Sequence, residues 1–269
     1  MNSNHPFVSV TWLFENRNLP ELIVIDASLK DPVKAEHAVD NKIIPNALQF
    51  DWDAFSDLSN PLPHTMPDAA QFTRAAQALG VNTNSLLVVY DKLGIYASPR
   101  VWWMFLAMGF KNCYVLDGGL PEWLKMGYNE VKAYAEPHAR GNFTATFDEK
   151  LISNRHEVLR AANDNKKLII DARSANRFQG KIAEPRAGVR RGHIPNSINI
   201  PFESLLFEHK IRPNEELEKL FSAIHTKNLP LIFSCGSGIT ACIGALAATL
   251  VGYQNISVYD GSWSEWGMN

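Results

Sequence analysis

Cysteine is scarce in this chain: three residues, Cys113, Cys235 and Cys242, among 269. An odd, sparse set makes no disulfide framework, so a reducing cytoplasm is the expected compartment. No Cys/His pairs stand at metal-ligand spacing, which argues against a metal centre. Excess charge of one sign is lacking as well. Twenty-six lysines and arginines face 28 acids, for a net charge of −2. That excludes a chain whose main task is holding nucleic acid or an anionic membrane. The stretch MNSNHPFVSVTWLFENRN has no basic segment leading into an apolar one, so no secretory signal is expected. The longest apolar run, ITACIGALAATLVGY, is short for a membrane span and suits a buried helix. What is present is a globular composition, 46% apolar and 20% charged. The length is comfortable for two domains.

The chain repeats itself once. LIVIDAS (22–28), NKIIPNALQFD (41–51), LLVVYDKLGIYAS (86–98) and CYVLDGGLPEW (113–123) form the first series. LIIDARS (168–174), RGHIPNSINIPF (191–202), LIFSCGSGITAC (231–242) and ISVYDGSWSEW (256–266) form the second. The offsets drift between 143 and 150 residues, as loop insertions would cause. A period this long marks a duplicated domain, not a solenoid. In each copy, short β-branched runs such as LLVVY and LIFSC fit strands buried on both faces of a parallel sheet. PDAAQFTRAAQALG and NEELEKLFSAIHTKN read as helices by their end signals. The expectation is an α/β protein of two tandem domains, 1–137 and 146–269. AYAEPHARGNF (133–143) lies at the change of composition, and the linker is placed at 138–145.

Comparing the copies isolates the chemistry. DKLGIYAS (91–98) lies over CGSGITAC (235–242), with Gly94 matching Gly238 and Asp91 matching Cys235. The fold therefore does not require a cysteine at that place, and core filler is a weak account of Cys235. The loop after it, Gly236, Ser237 and Gly238, is small enough for a tight turn. Such a loop, leading into an apolar helix from about Ile239, can aim successive N–H groups inward at the positive end of a helix dipole. That setting favours an anion: a thiolate, or equally a persulfide. Cys113, opening an apolar strand, and Cys242, inside the helix, read as filler.

CGSGITAC, GHIPNSINIPF, SPRVWWMF (98–105) and the two DG…W endings together resemble the 3-mercaptopyruvate sulfurtransferases, two-domain members of the rhodanese superfamily, over nearly the whole chain. The resemblance implies two tandem rhodanese-like domains, each a mainly parallel sheet flanked by helices. It implies an active site in the second domain at the domain interface, since Asp53 and His64 come from the first copy and Cys235 from the second. Cys235 would take sulfur as a persulfide, and Ser237, His64 and Asp53 would form a Ser-His-Asp arrangement. Arg177 and Arg186 would bind the carboxylate and ketone of the donor, with Gly236, Gly238, Ile239 and Thr240 lining it. No cofactor beyond the covalent persulfide is implied. The sulfur would pass to thioredoxin, a small thiol or cyanide, with no nucleic acid or membrane as partner. Ile239 stands where the family usually has valine. NKIIPNA lacks the Gly-His that usually precedes Ile-Pro.

The residue types suit the chemistry. A planar carboxylate is matched by arginine's parallel N–H bonds. The segment 173–191 holds Arg173, Arg177, Lys181, Arg186, Arg190 and Arg191 against one acid, Glu184. Arg173 and Arg191 read as structural or peripheral. His5, His37, His138, His156, His209 and His225 also read as structural, and His193 as fixing its loop. A phosphatase of the same superfamily would need an arginine six residues after the cysteine, where this chain has Ala241. A thiosulfate:cyanide rhodanese is closer, but those enzymes carry basic residues after the cysteine, and this loop is uncharged. A non-catalytic rhodanese-like binding module is the remaining alternative, and Cys235 argues against it.

Overall fold

The computed structural model describes residues 5–29, 41–222, 224 and 229–268; His37 and His225 lie outside them. The chain divides into two units. Unit 1 is Met1–Ser56, Pro67–Phe147 and Glu208–Lys210, and unit 2 is Asp57–Met66, Asp148–Phe207 and Ile211–Asn269. Each repeat thus lends a short segment to the unit built mainly by the other.

In unit 1 the strands are β1 (Phe7–Val8), β2 (Leu22–Asp26), β3 (Ala47–Gln49), β4 (Leu86–Tyr90) and β5 (Cys113–Leu116). They pair in the order β1-β5-β4-β2-β3, all parallel. The central strands are buried along most of their length, as their unbroken apolar runs require. The helices are α1 (Val10–Asn16), α2 (Ala69–Ala78), α3 (Ser98–Ala107) and α4 (Gly119–Lys125). Ser9 caps α1 by accepting the N–H of Trp12, and Asp68 caps α2 through that of Gln71. α3, buried along nearly its whole length, starts with Pro99 in its first turn and no side-chain cap.

Unit 2 repeats the plan. Its strands are β6 (Ile152–Ser153), β7 (Leu168–Asp171), β8 (Ile198–Asn199), β11 (Leu231–Ser234) and β12 (Ile256–Tyr259). Between β8 and β11 in the chain, the short β9 (Leu206–Phe207) and β10 (Lys210–Ile211) pair as a separate ribbon. The main sheet runs β6-β12-β11-β7-β8, again all parallel. The helices are α5 (Arg155–Asp164), α6 (Ala175–Phe178), α7 (Asn214–Ser222), α8 (Ala241–Leu250) and α9 (Ser262–Trp266). Asn154 and Glu157 form a reciprocal capping box on α5. α8 packs closely on β11: a Cβ on Gly244 would lie 2.5 Å from the Phe233 ring.

Two expectations differ in detail. α8 begins at Ala241, not at Ile239, because a tight turn precedes it, with Cys242 N–H bonded to Ile239 and Ile243 N–H to Thr240. Residues 133–146 are laid along unit 1. The N–H groups of Ala135, Gly141, Phe143 and Thr146 bond to Ala47, Gln77, Val81 and Met108. Backbone pairing needs no apolar periodicity, so this stretch reads as a linker in sequence.

Candidate functional site

Parallel strands end on one edge of a sheet, and loops leaving central strands there are the usual sites of chemistry in α/β folds. Cys235 is the first residue after β11 and is 1% exposed. Its backbone is tethered on both sides. Its N–H donates to Ser262 Oγ at 3.1 Å, and its carbonyl accepts the N–H of Trp263 at 2.9 Å. The Gly236 carbonyl accepts both the N–H and the hydroxyl of Ser264, at 2.9 and 2.6 Å. Gly238, at φ 80°, turns the chain in the left-handed region, where a Cβ is disfavoured.

The matching loop of unit 1 shows what this path holds. Asp91 is 1% exposed, and its carboxylate accepts the N–H groups of Leu93, Tyr96, Ala97 and Ser98 at 2.9 to 3.0 Å, with the Ser98 hydroxyl at 2.7 Å. Gly94, matching Gly238, is also left-handed, at φ 101°. The loop is an anion cradle filled by its own side chain. In unit 2 the corresponding residues are Ser237, Thr240, Ala241 and Cys242. Cys242 N–H is taken by Ile239, while those of Ser237, Thr240 and Ala241 reach no protein acceptor among the described residues. Here the residue that opens the loop is Cys235, and the loop leads into the N-terminus of the ten-residue α8.

A charged cluster lies beside the loop. Arg173 is fully buried and donates to Asp171, Glu184 and the Gly192 carbonyl, with its guanidinium 4.3 Å from the Trp263 ring centroid. Glu184 also grips Arg177 in a two-point pair, to Nη2 at 2.5 Å and Nε at 3.3 Å. A Cβ on Gly236 would lie 3.0 Å from Arg177 Nη2, so this guanidinium rests against the residue after Cys235. Burial works to lower the Arg177 pKa, but the Glu184 carboxylate, and after it Cys235 and Asp171, hold it above its ordinary value. Arg186 is exposed and donates from Nη1 to Ser264 Oγ at 3.0 Å, one hydroxyl away from the Gly236 carbonyl.

Cys235, Ser237, Arg177, Arg186 and His64 all belong to unit 2. Ser237 is half-buried on the loop, as are Gly236 and Thr240, while Gly238 and Ile239 are buried. His64 sits at φ 58° in the segment 57–66, which is fastened by Asp57 N–H to the Thr65 carbonyl and by Met66 N–H to Asp260 Oδ2 at 2.9 Å. Asp53 belongs to unit 1, is exposed, and donates its N–H to Asp51 Oδ1. Cys113 is buried, which pushes its thiol up, and Cys242 Sγ donates to the Gly238 carbonyl at 3.3 Å. His193 stacks on Phe178 and bonds to its carbonyl. Glu184, Ser262 and Ser264 were not singled out from sequence. A signal existed for Ser262, since the repeat places Gly119 there. For Glu184 it was the lone acid in a basic run.

A model described as "Rhodanese-like domain" matches residues 9–126 and 154–269. The 3-mercaptopyruvate sulfurtransferase of Escherichia coli is 38% identical over 266 residues, covering 97% of this chain and 94% of that one. A mitochondrial thiosulfate/3-mercaptopyruvate sulfurtransferase of Arabidopsis thaliana is 37% identical, covering 99% of this chain and 77% of that one. The crystal structure of SseA from Escherichia coli, a 3-mercaptopyruvate sulfotransferase of rhodanese fold, superposes with a TM-score of 0.86 at 36% identity. It covers 96% of this chain and 99% of that one. Among the described residues, no helix is long and apolar enough to cross a membrane, and no three His, Cys, Asp or Glu side chains are grouped to hold a metal.

Proposed function

Since the chain belongs to the rhodanese-like family, we propose that it moves sulfur from 3-mercaptopyruvate to Cys235 as a persulfide, releases pyruvate, and hands the sulfur to a thiol or cyanide. The observation that carries this reading is the exchange of Asp91 for Cys235 in otherwise matching loops. Where unit 1 buries a carboxylate, unit 2 places a sulfur able to become an anion.

The Cys235 thiolate attacks the sulfur of the donor. A sulfur–sulfur bond forms, and the carbon–sulfur bond breaks with its electron pair leaving as the enolate of pyruvate. That enolate takes a proton at carbon. Arg177, against Gly236, and Arg186, beside Ser264, receive the donor's carboxylate and ketone oxygen and stabilise the oxyanion as it develops. Ser237, His64 and Asp53 are the proposed route for the proton. The N–H groups of Ser237, Thr240 and Ala241 then hold the outer sulfur of the persulfide. An acceptor thiolate, from thioredoxin or a small thiol, or cyanide attacks that sulfur and releases Cys235 for another turn. No further cofactor enters this scheme, and the cytoplasm is the proposed compartment. Residues 236–241 carry no charge to receive the dianion of thiosulfate, which favours the keto acid as donor.

Single-turnover mixing with 3-mercaptopyruvate tests the scheme. One pyruvate per chain is expected, and none from Cys235→Ser. Pyruvate release that survives this substitution would refute it.

A further inference from the structure

The repeats differ at the residue after their Asp-Gly pair, Asp117-Gly118 in unit 1 and Asp260-Gly261 in unit 2. Unit 1 has Gly119 at φ 51°, and unit 2 has Ser262 at φ 49°. Both lie in the left-handed region, which side chains other than glycine's avoid. In unit 1 glycine is required, because a Cβ would lie 2.4 Å from the Asp91 carbonyl oxygen. Unit 2 keeps a fully buried side chain at this strained place. A serine held where glycine is the easy choice points to what its hydroxyl does. Oγ accepts the N–H of Cys235 at 3.1 Å and donates to the Tyr259 carbonyl at 2.8 Å. The carbonyl tether is common to both repeats, Trp263 N–H to Cys235 at 2.9 Å and Leu120 N–H to Asp91 at 3.1 Å. The hydroxyl tether belongs only to the copy bearing the cysteine, since Gly119 has none to offer.

We propose that Ser262 is a positioning residue for Cys235. By fixing the cysteine's N–H it sets the direction of the Cα–Cβ bond, and so places the sulfur among the loop N–H groups. This rests on Cys235 being the nucleophile.

Two substitutions separate hydroxyl from backbone. Ser262→Ala keeps the strain and loses the bond, while Ser262→Gly loses both and copies the residue unit 1 uses. Two rates are read: sulfur loading from 3-mercaptopyruvate, and modification of Cys235 by methyl methanethiosulfonate, located by peptide mass. Both variants should slow both rates roughly tenfold, as loss of one such bond implies. KM for 3-mercaptopyruvate should stay within about twofold. Ser262→Gly should melt no lower than Ser262→Ala, its strain being relieved. Wild-type rates in Ser262→Ala would overturn the proposal. So would slow rates accompanied by an equal rise in KM in both variants, which would mark a general loosening. If the wild type takes no sulfur from 3-mercaptopyruvate, the donor assignment fails, and the methanethiosulfonate rates still decide the role of Ser262.

Discussion

The Asp91 carboxylate accepts both the N–H and the hydroxyl of Ser98, at 2.9 and 2.7 Å, from a fully buried position. Three more N–H groups, from Leu93, Tyr96 and Ala97, point at the same carboxylate. One loop geometry therefore holds a fixed anion in the first repeat and, in our account, a transient one in the second.

Asp91→Asn should test that cradle. An amide carries one acceptor oxygen and brings two donors into a ring of donors. The expected loss is about 1.5–3 kcal/mol of stability, the range for a hydrogen bond to a charged group. Urea unfolding checks it, and sulfur loading per folded molecule should persist. Unchanged stability would contradict the reading of this loop as an anion site.

Glu184 is the common partner of Arg173 and Arg177, and its side chain is 3% exposed. Glu184→Gln removes the charge that two arginines share. Breaking a buried pair in this way costs about 3–5 kcal/mol. Thermal unfolding should show that loss, and kcat/KM for 3-mercaptopyruvate should fall as Arg177 is released from Gly236. A variant with wild-type stability and kinetics would show that Glu184 does not set Arg177.

Arg186→Ala should weaken use of 3-mercaptopyruvate far more than use of thiosulfate, because only the keto acid offers a carboxylate for the guanidinium fork. Steady-state kinetics with both donors decides it. Equal losses would argue against a carboxylate role and leave Arg186 as a brace for Ser264.

How much of this could be read from the chain alone depends on what each feature rests on. LIVID, LLVVY, LIIDA and LIFSC were legible as strands because parallel strands buried on both faces leave an unbroken apolar run. Cys235 stood out because the repeat supplied Asp91 as an internal control. Glu184 and Arg173 were not legible. A basic stretch with one acid looks like a solvated surface, and only the fold brings Asp171, Gly192 and the Trp263 ring around Arg173. The grouping of 57–66 with unit 2 and of 208–210 with unit 1 was hidden too, since neither segment carries periodicity.

That grouping has a pH signature. In unit 1, Glu122 accepts from His209 Nε2 at 2.9 Å and pairs with Lys210 at 3.4 Å. The His209 bond, opposed by burial and aided by Lys210 and Lys125, holds the Glu122 carboxyl below its ordinary value of 4.5. A depressed carboxyl contributes stability above its ordinary value and loses it as pH falls through the folded one. Urea midpoints of wild type and Glu122→Gln should therefore differ at neutral pH and converge below about pH 4.5. A constant difference across that range would contradict the assignment.

The central claim is that Cys235 carries sulfur taken from 3-mercaptopyruvate, and intact mass after incubation with that donor tests it most directly. The account predicts one added sulfur atom, removed by dithiothreitol and absent from Cys235→Ser. An adduct from thiosulfate with none from 3-mercaptopyruvate, or an adduct that survives in Cys235→Ser, would contradict it.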